Sequence, residues 1–331
     1  MGSMKSSFTA KDFELFKSVA KLPESSLYRG LTSVLKEYYE AENVVVGPEN
    51  QYVMAKGDIP VMLVAHLDTV FKIPPYNFFW DRDKNVIFED GTGLGADDRA
   101  GVFGILYILN HTKMRPSVLF TRGEETGGRG AKLAAKTLSP SVKYLVELDR
   151  QGHRECVFYD CGNREFERYV NSFGFHTEWG SFSDISILCP EWKVAGVNLS
   201  IGYYHEHTYG EILFADQMMD TVKRIITMLK SIEKAPTYEY VREERIPYAY
   251  LGVGNRVVKC SGCNKEFPDT DTVDVITSGG RTKPYCWDCL SSYVDFCDIC
   301  EEPVEKELVE GQSVKVCPEC KKSREAIGIW N

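Results

Sequence analysis

The sequence predicts an α/β protein. Its larger part reads as a three-layer αβα domain around a mostly parallel central sheet, and its end as a small C-terminal domain with two four-cysteine zinc sites. Three observations carry this. Apolar strand-like runs alternate with helix-like stretches up to about residue 235, a pattern that winds a mainly parallel sheet with helices on its faces. The chain then turns polar and charged in "EKAPTYEYVREERIPY". Beyond that stretch lie eight of the eleven cysteines, all in CxxC pairs. The implied organisation is a domain over 5–235, a linker over 236–255 and a zinc module over 256–325.

Taken in order, two helices open the chain, the second with Leu27, Leu31, Val34 and Tyr38 as its apolar stripe. Val61–Ala65 ("VMLVA") is a continuous apolar run, as a central strand covered on both faces requires. Gly101–Leu109 reads as a buried helix, Ser117–Thr121 as a strand, and Ala131–Lys136 as a helix. Tyr144–Leu148 and Val194–Ile201 are further strands. A closing helix carries Met218, Val222, Ile225, Leu229 and Ile232 on one face.

The 331 residues suffice for about two domains. A net charge of −9 argues against nucleic-acid or anionic-membrane binding, and no apolar run approaches the ~20 residues that span a bilayer. No secretory signal pattern is apparent, so the expected compartment is the reducing cytoplasm, where paired cysteines hold metal more often than they form disulfides.

The chemistry gathers where strands end. "VMLVAHLDTV" delivers His66 and Asp68, "SVLFTRGEETGGRGA" Glu124 and Glu125, "YLVELDRQG" Asp149, and "VNLSIGYYHEHTYGE" His205 and His207. Ligands of open α/β sheets bind outside the carboxyl ends of the strands, so four strands aim metal-binding side chains at one edge. Asp97 and Asp98 precede the buried helix in "GLGADDRAGVFGILYIL". Each piece has a plain structural reading by itself: a helix cap for Asp97-Asp98, a solvated turn for Glu124-Glu125. Together they match a site for two divalent metals, with zinc suited to histidine and carboxylate donors and manganese or cobalt as alternatives. Asp97 would bridge, His66 and Asp149 would hold one ion, and Glu125 and His207 the other. Asp68 would steady the His66 imidazole, and Glu124 would be the general base for a metal-activated water.

The strings "HLDTV", "DGTGLGADDRAG", "EETGGRGA", "LDRQG" and "GYYHEHTYGE" resemble the co-catalytic dizinc exopeptidases, especially tripeptidase-like members of the aminopeptidase and carboxypeptidase clan. The resemblance covers residues 8–235. It implies His66, Asp97, Glu125, Asp149 and His207 as metal ligands, Asp68 as support for His66, Glu124 as base, and a cis Asp97–Asp98 peptide. Tripeptidase-like relatives insert a lid and dimerisation domain between the last two ligands. Here Asp149 and His207 are 58 positions apart, so a lidless domain is expected. "HTYGE" favours His207 over His205, which would share its side of a strand and is left as a candidate substrate contact beside Asp184. The aromatic "IPPYNFFW" is read either as a pocket wall or as packing under its loop or at an oligomer contact. The activity implied is exopeptidase hydrolysis of short peptides, aminopeptidase-like. The alternatives are a deacylase or carboxypeptidase on other amides, and an interaction protein that keeps the peptidase domain as scaffold.

In the tail, the pairs Cys260/Cys263, Cys286/Cys289, Cys297/Cys300 and Cys317/Cys320 leave gaps of 22, 7 and 16 residues. Eight thiolates close two tetrahedral zinc sites without an open position, so both are structural. The first two pairs are expected on one zinc and the last two on the other, with cross-bracing as the alternative. The pattern resembles tandem treble-clef modules, which implies a protein partner or self-association. From Arg256 onward ten Lys/Arg face fourteen Asp/Glu, a poor match to nucleic acid.

Overall fold

A computed structural model describes residues 8–243, 257–268, 272–278, 281–297, 303–312, 315–318 and 321. The chain divides into two compact units, Met1–Glu244 and Arg245–Asn331.

The first unit is built on an eight-stranded sheet. Its strands are β1 (Val44–Val46), β2 (Tyr52–Ala55), β3 (Ile59–His66), β6 (Pro116–Thr121), β7 (Tyr144–Arg150), β8 (Glu155–Val157), β9 (His176–Thr177) and β10 (Gly196–Ser200), in the spatial order β1-β2-β6-β3-β7-β10-β8-β9. The centre, β6-β3-β7-β10, is parallel, as the alternating pattern predicts. Towards the edges β2 pairs antiparallel with β1 and β6, and β8 with β10, so the whole sheet is mixed. A second, antiparallel sheet joins β4 (Phe78–Asp81), β5 (Val86–Glu89), β11 (Tyr203–Tyr204) and β12 (Ile212–Phe214).

Strand β3 shows why the apolar run is unbroken. Val61, Leu63 and Ala65 enter one core, while Met62 and Val64 enter the other, and all five are fully buried. On the first face lie α1 (Ala10–Ala20), α2 (Glu24–Tyr38), α3 (Ala96–His111), α5 (Arg164–Asn171) and α7 (Ala215–Lys230). On the second lie α4 (Arg129–Thr137) and α6 (Asp184–Trp192), packed together through Ala131, Ala134, Ile185 and Leu188. This is the three-layer arrangement.

Three details depart from the sequence reading. The buried stripe of α2 is Leu27, Tyr28, Leu31 and Leu35, with Val34 and Tyr38 half-buried at its margin. Of the closing stripe, Met218 to Leu229 sits on α7, but Ile232 falls in a separate 3-10 turn, Ile232–Lys234. The expected linker begins as part of the first unit: the N–H of Ala195 bonds the Tyr238 carbonyl, and Arg242 bridges to Cys161. The last three aromatics of "IPPYNFFW" become β4, where Phe78 and Trp80 turn inward against Phe16 and Phe8, and Phe79 stacks outward on Phe88. Packing explains Phe78 and Trp80, whereas Tyr76 precedes the strand and is exposed.

In the second unit β13 (Val257–Lys259) and β14 (Glu266–Pro268) form a hairpin. A separate sheet runs in the order β16-β15-β18-β17, from β15 (Thr272–Ile276), β16 (Thr282–Cys286), β17 (Val294–Phe296) and β18 (Pro303–Glu305). Helices α8 (Trp287–Tyr293) and α9 (Lys306–Val309) follow β16 and β18. Among the described residues no helix is long and apolar enough to cross a membrane.

Candidate metal centre

His66 is the last residue of β3, and the parallel sheet carries the ends of β6 and β7 to either side of it. The Glu124-Glu125 turn follows β6, and Asp149 sits at the end of β7. Asp97 and Asp98 open α3 through a cis peptide, and His207 comes from the loop after β11. Chain segments far apart in sequence therefore meet at one sheet edge.

The contacts form a continuous chain. The His207 Nε2 lies 3.2 Å from Glu125 Oε2 and 3.2 Å from Asp97 Oδ2. On its other oxygen Asp97 is 3.0 Å from His66 Nε2, which is 3.4 Å from Asp149 Oδ1. Donor atoms of His66, Asp97 and Glu125, and of His66, Asp98 and Asp149, lie within 4.8 Å of one another, two groups that could each hold a metal ion. Asp97 thus stands between a Glu125–His207 side and a His66–Asp149 side.

Asp98 is spent on the backbone. Its carboxylate accepts the N–H of His66 at 3.1 Å and of Gly101 at 2.9 Å, fixing the start of α3 against the end of β3. Position 101 has to be glycine for this fit, since a Cβ there would stand 2.4 Å from both Asp98 Oδ1 and the Leu148 carbonyl. Asp68 does more than the sequence suggests. The His66 Nδ1 lies 3.0 Å from the Asp68 main-chain oxygen and 3.5 Å from its carboxylate. That carboxylate accepts the N–H groups of Gly123 (2.8 Å), Glu124 (3.2 Å) and Glu125 (3.2 Å). It therefore holds the glutamate turn as well as the imidazole.

Two contributors escape the sequence reading. Glu211, quoted there only as the end of "HTYGE", accepts the N–H of Gly95 at 2.6 Å and of Asp97 at 3.0 Å, holding the Asp97 backbone in place. Tyr203 donates its hydroxyl to Asp149 at 3.2 Å. Neither role leaves a local signal. Asp184, a candidate substrate contact from the sequence, is fully buried and takes a short hydrogen bond from Thr121. His205 is exposed, and its φ of 60° ends the strand before it, so the side-to-side alternation assumed for His205 and His207 does not apply.

The electrostatics are those of a crowded acid cluster. Burial is the largest influence on Glu124; nearby His66 opposes it, but Asp149, Asp184 and Glu125 add to it, and the carboxyl is pushed up to about 9. Asp149 rises to about 7, chiefly through burial. His207 is drawn up to about 11 by its bonds to Asp97 and Glu125. One oxygen of Glu125 is buried without any hydrogen-bond partner. Leaving a buried acceptor unmet costs about 1–3 kcal/mol or more for a charged group, and a divalent cation would meet it. The donor set, mixed histidine and carboxylate, fits such an ion. Around it lies a cleft of about 270 Å³, floored by Asp97, Glu124 and Asp149 and walled by Tyr159, Trp179 and Phe182.

In the second unit the sulfurs of Cys260, Cys263, Cys286 and Cys289 lie within 4.8 Å of one another, a second kind of metal-binding group. Burial works against ionisation of Cys260, but the N–H groups of Cys286, Cys263 and Gly262 outweigh it and bring the thiol down to about 6. Cys297 and Cys317 are buried in one cluster, with the Cys317 N–H 3.3 Å from the Cys297 sulfur. Cys300 and Cys320 lie outside the described residues.

No protein-family model matches the chain. It is similar to a probable carboxypeptidase of Aspergillus fumigatus, 28% identical over 169 residues that span 45% of this chain and 38% of that protein. It is also similar to peptidase T of Clostridium botulinum, 24% identical over 132 residues, 38% of this chain and 28% of that one. The chain thus spans well under half the length of the curated relatives it matches. Among solved structures it is similar to aminopeptidase PepT from Bacillus cereus, with TM-score 0.54, 14% identity, and coverage of 67% of this chain and 98% of the other. A tripeptidase from Staphylococcus aureus gives TM-score 0.54 and 15% identity with the same coverage. Over the two thirds of the chain that is matched, the fold is the one these peptidases share.

Proposed function

We propose that the chain is a metal-dependent exopeptidase, aminopeptidase-like, that hydrolyses short peptides. One observation carries the proposal: His66, Asp97, Glu125, Asp149 and His207 meet in unbroken contact, with Glu124 beside them in the wall of a cleft. Five ligands with one shared carboxylate suit two divalent ions, and zinc suits the donors best. Asp97 would be shared, His66 and Asp149 would complete one ion, and Glu125 and His207 the other. Bound there, such ions polarise a peptide carbonyl and lower the pKa of water. Glu124, freed from metal contact, takes the proton of the attacking water and hands it to the leaving nitrogen. Asp68 holds the Glu124 backbone through this cycle, and Glu211 keeps Asp97 in register with His66. The cleft admits only small ligands, at the low end of ordinary ligand pockets.

The Cys260–Cys289 cluster supports a structural zinc, with a second on the remaining pairs, in a module that contacts a protein partner or another copy. The whole reading is tested with purified protein loaded with Zn²⁺, Mn²⁺ or Co²⁺ and offered dipeptides, tripeptides and aminoacyl-nitroanilides. Amide hydrolysis that vanishes on chelation and returns with metal is expected. Inertness towards every amide, with metals bound at the His66–His207 cluster, would overturn it and leave the interaction role of the module.

A further inference from the structure

One cation in the cleft has no side-chain partner among the described residues. Arg150 follows Asp149 at the end of β7 and lines the cleft with Gln151, Tyr159, Trp179 and Phe182. Its Nε is buried without a hydrogen-bond partner, and its guanidinium makes no hydrogen bond or ion pair among the described residues. The other half-buried or buried arginines are engaged. Arg122 pairs with Glu24, Arg224 with Asp220, and Arg115 donates to four main-chain carbonyls. Arg99 reaches the Val19 carbonyl through Nη1, although its Nε, too, is buried without a partner among the described residues. No other arginine or lysine among the described residues lines the cleft.

Arg150 is half-buried with its Nε sealed from solvent, a donor that is costly to leave unmet, and the planar guanidinium fork matches a carboxylate better than any other common group. The other charged residues that line the cleft are acids and His207, and His207 is already held by Asp97 and Glu125, which leaves Arg150 as the lining cation with no acid against it among the described residues. A substrate's free amine has the acids to face, and Arg150 is the lining side chain left to face a carboxylate. In a cleft of about 270 Å³ the two cannot lie far from the scissile bond. Resting on the peptidase reading above, we propose that Arg150 receives a carboxylate of the substrate. The enzyme would then select short peptides that carry a carboxylate within about one or two residues of the bond it cuts. That carboxylate is either the free C-terminus or an Asp or Glu side chain.

The test compares Ala-Ala-Ala with its C-terminal amide, and Ala-Glu-Ala-amide with Ala-Gln-Ala-amide, in the wild-type protein, Arg150→Met and Arg150→Lys. kcat/KM is measured on metal-loaded protein, and binding of the same four peptides by calorimetry on Glu124→Gln. The expected result is a ten- to hundredfold preference for the carboxylate-bearing member of one pair, in rate and in binding. The pair that shows it identifies the source. Arg150→Met brings that ratio to within about twofold, and Arg150→Lys restores part of it. Equal handling of both pairs by wild-type protein overturns the proposal, as does a preference that survives Arg150→Met. The same survival would mark Arg150 as a mere counter-ion to the acid cluster. If no peptide is cut, the peptidase reading falls, while the calorimetric ratios still decide for or against Arg150.

Discussion

Replacing Asp68 by alanine separates two accounts of what that residue does. If it serves only to steady His66, its loss should leave the glutamate turn in place. The geometry says otherwise, because the His66 Nδ1 is closest to the Asp68 main-chain oxygen, which alanine keeps. What alanine removes is the acceptor of three N–H bonds, from Gly123, Glu124 and Glu125. Hydrogen bonds to a charged group contribute about 1.5–3 kcal/mol each when well buried. The turn is half-buried, so water recovers part of this, and about 1 kcal/mol per bond is a fair figure, or roughly 3 kcal/mol for the three. In a domain of this size each 1 kcal/mol moves Tm by about 2–4 °C, so the metal-free variant should melt roughly 6–12 °C below wild type. Asparagine should cost about half as much, since its oxygen can keep two bonds while its amide faces the third donor. Metal titration by calorimetry should show one equivalent weakened ten- to a hundredfold, that which uses Glu125, and the other nearly unchanged. A metal-free Asp68→Ala protein that melts with wild type, or equal weakening of both equivalents, would refute this account.

Three further outcomes are expected. Glu124→Gln should bind metal as wild type does yet lose about 10²–10⁴ in kcat, the usual contribution of a general base; steady-state rates beside metal analysis decide it. His207→Ala should abolish one equivalent of bound metal and most activity, whereas His205→Ala should leave metal content unaltered by elemental analysis. Metal-free protein should lose stability as pH rises. Burial first, then neighbouring acids, holds Asp149 at about 7 and Glu124 at about 9, and burial holds Glu211 at about 8. The folded state thus keeps protons that unfolded carboxyls release near pH 4, so unfolding sheds protons between about pH 4 and 9 and stability falls across that window. His207, drawn up to about 11, acts in the same direction above its ordinary value. Tm measured from about pH 6 to 8.5 should drop without metal and flatten with saturating Zn²⁺; a flat metal-free profile contradicts the acid cluster as described.

How much of this was legible in the sequence follows from the range over which each feature is determined. The central strands and their ligands are local facts. An apolar run such as Val61–Ala65 has to be a doubly covered strand, and the polar residue that ends it has to lie at the sheet edge. The small sheet of β4, β5, β11 and β12 was not legible, because strands of two to four residues are too short to show a period, and their pairing joins segments more than a hundred residues apart. The α2 stripe was placed beside its true position because Leu31 fits both registers, and only packing on β1 and β2 selects Tyr28 and Leu35.

The same division runs through the site. A metal ligand announces itself by residue type, but the group that aims it does so through a backbone bond to a distant segment. Glu211 reaches Gly95 and Asp97 across more than a hundred positions, and Asp68 reaches the glutamate turn across more than fifty. Nothing in "HTYGE" or "HLDTV" distinguishes such a carboxylate from a ligand, since both are acids beside a histidine. What separates them is the direction of their hydrogen bonds. Asp98, Asp68 and Glu211 have their oxygens turned to N–H groups, while Glu125 has one buried oxygen turned to nothing among the described residues. Asp184 and Glu147 also keep one buried oxygen unmet among the described residues, but of the three Glu125 is the one whose donor atom groups closely with those of His66 and Asp97, and that distinction exists only once the chain has folded.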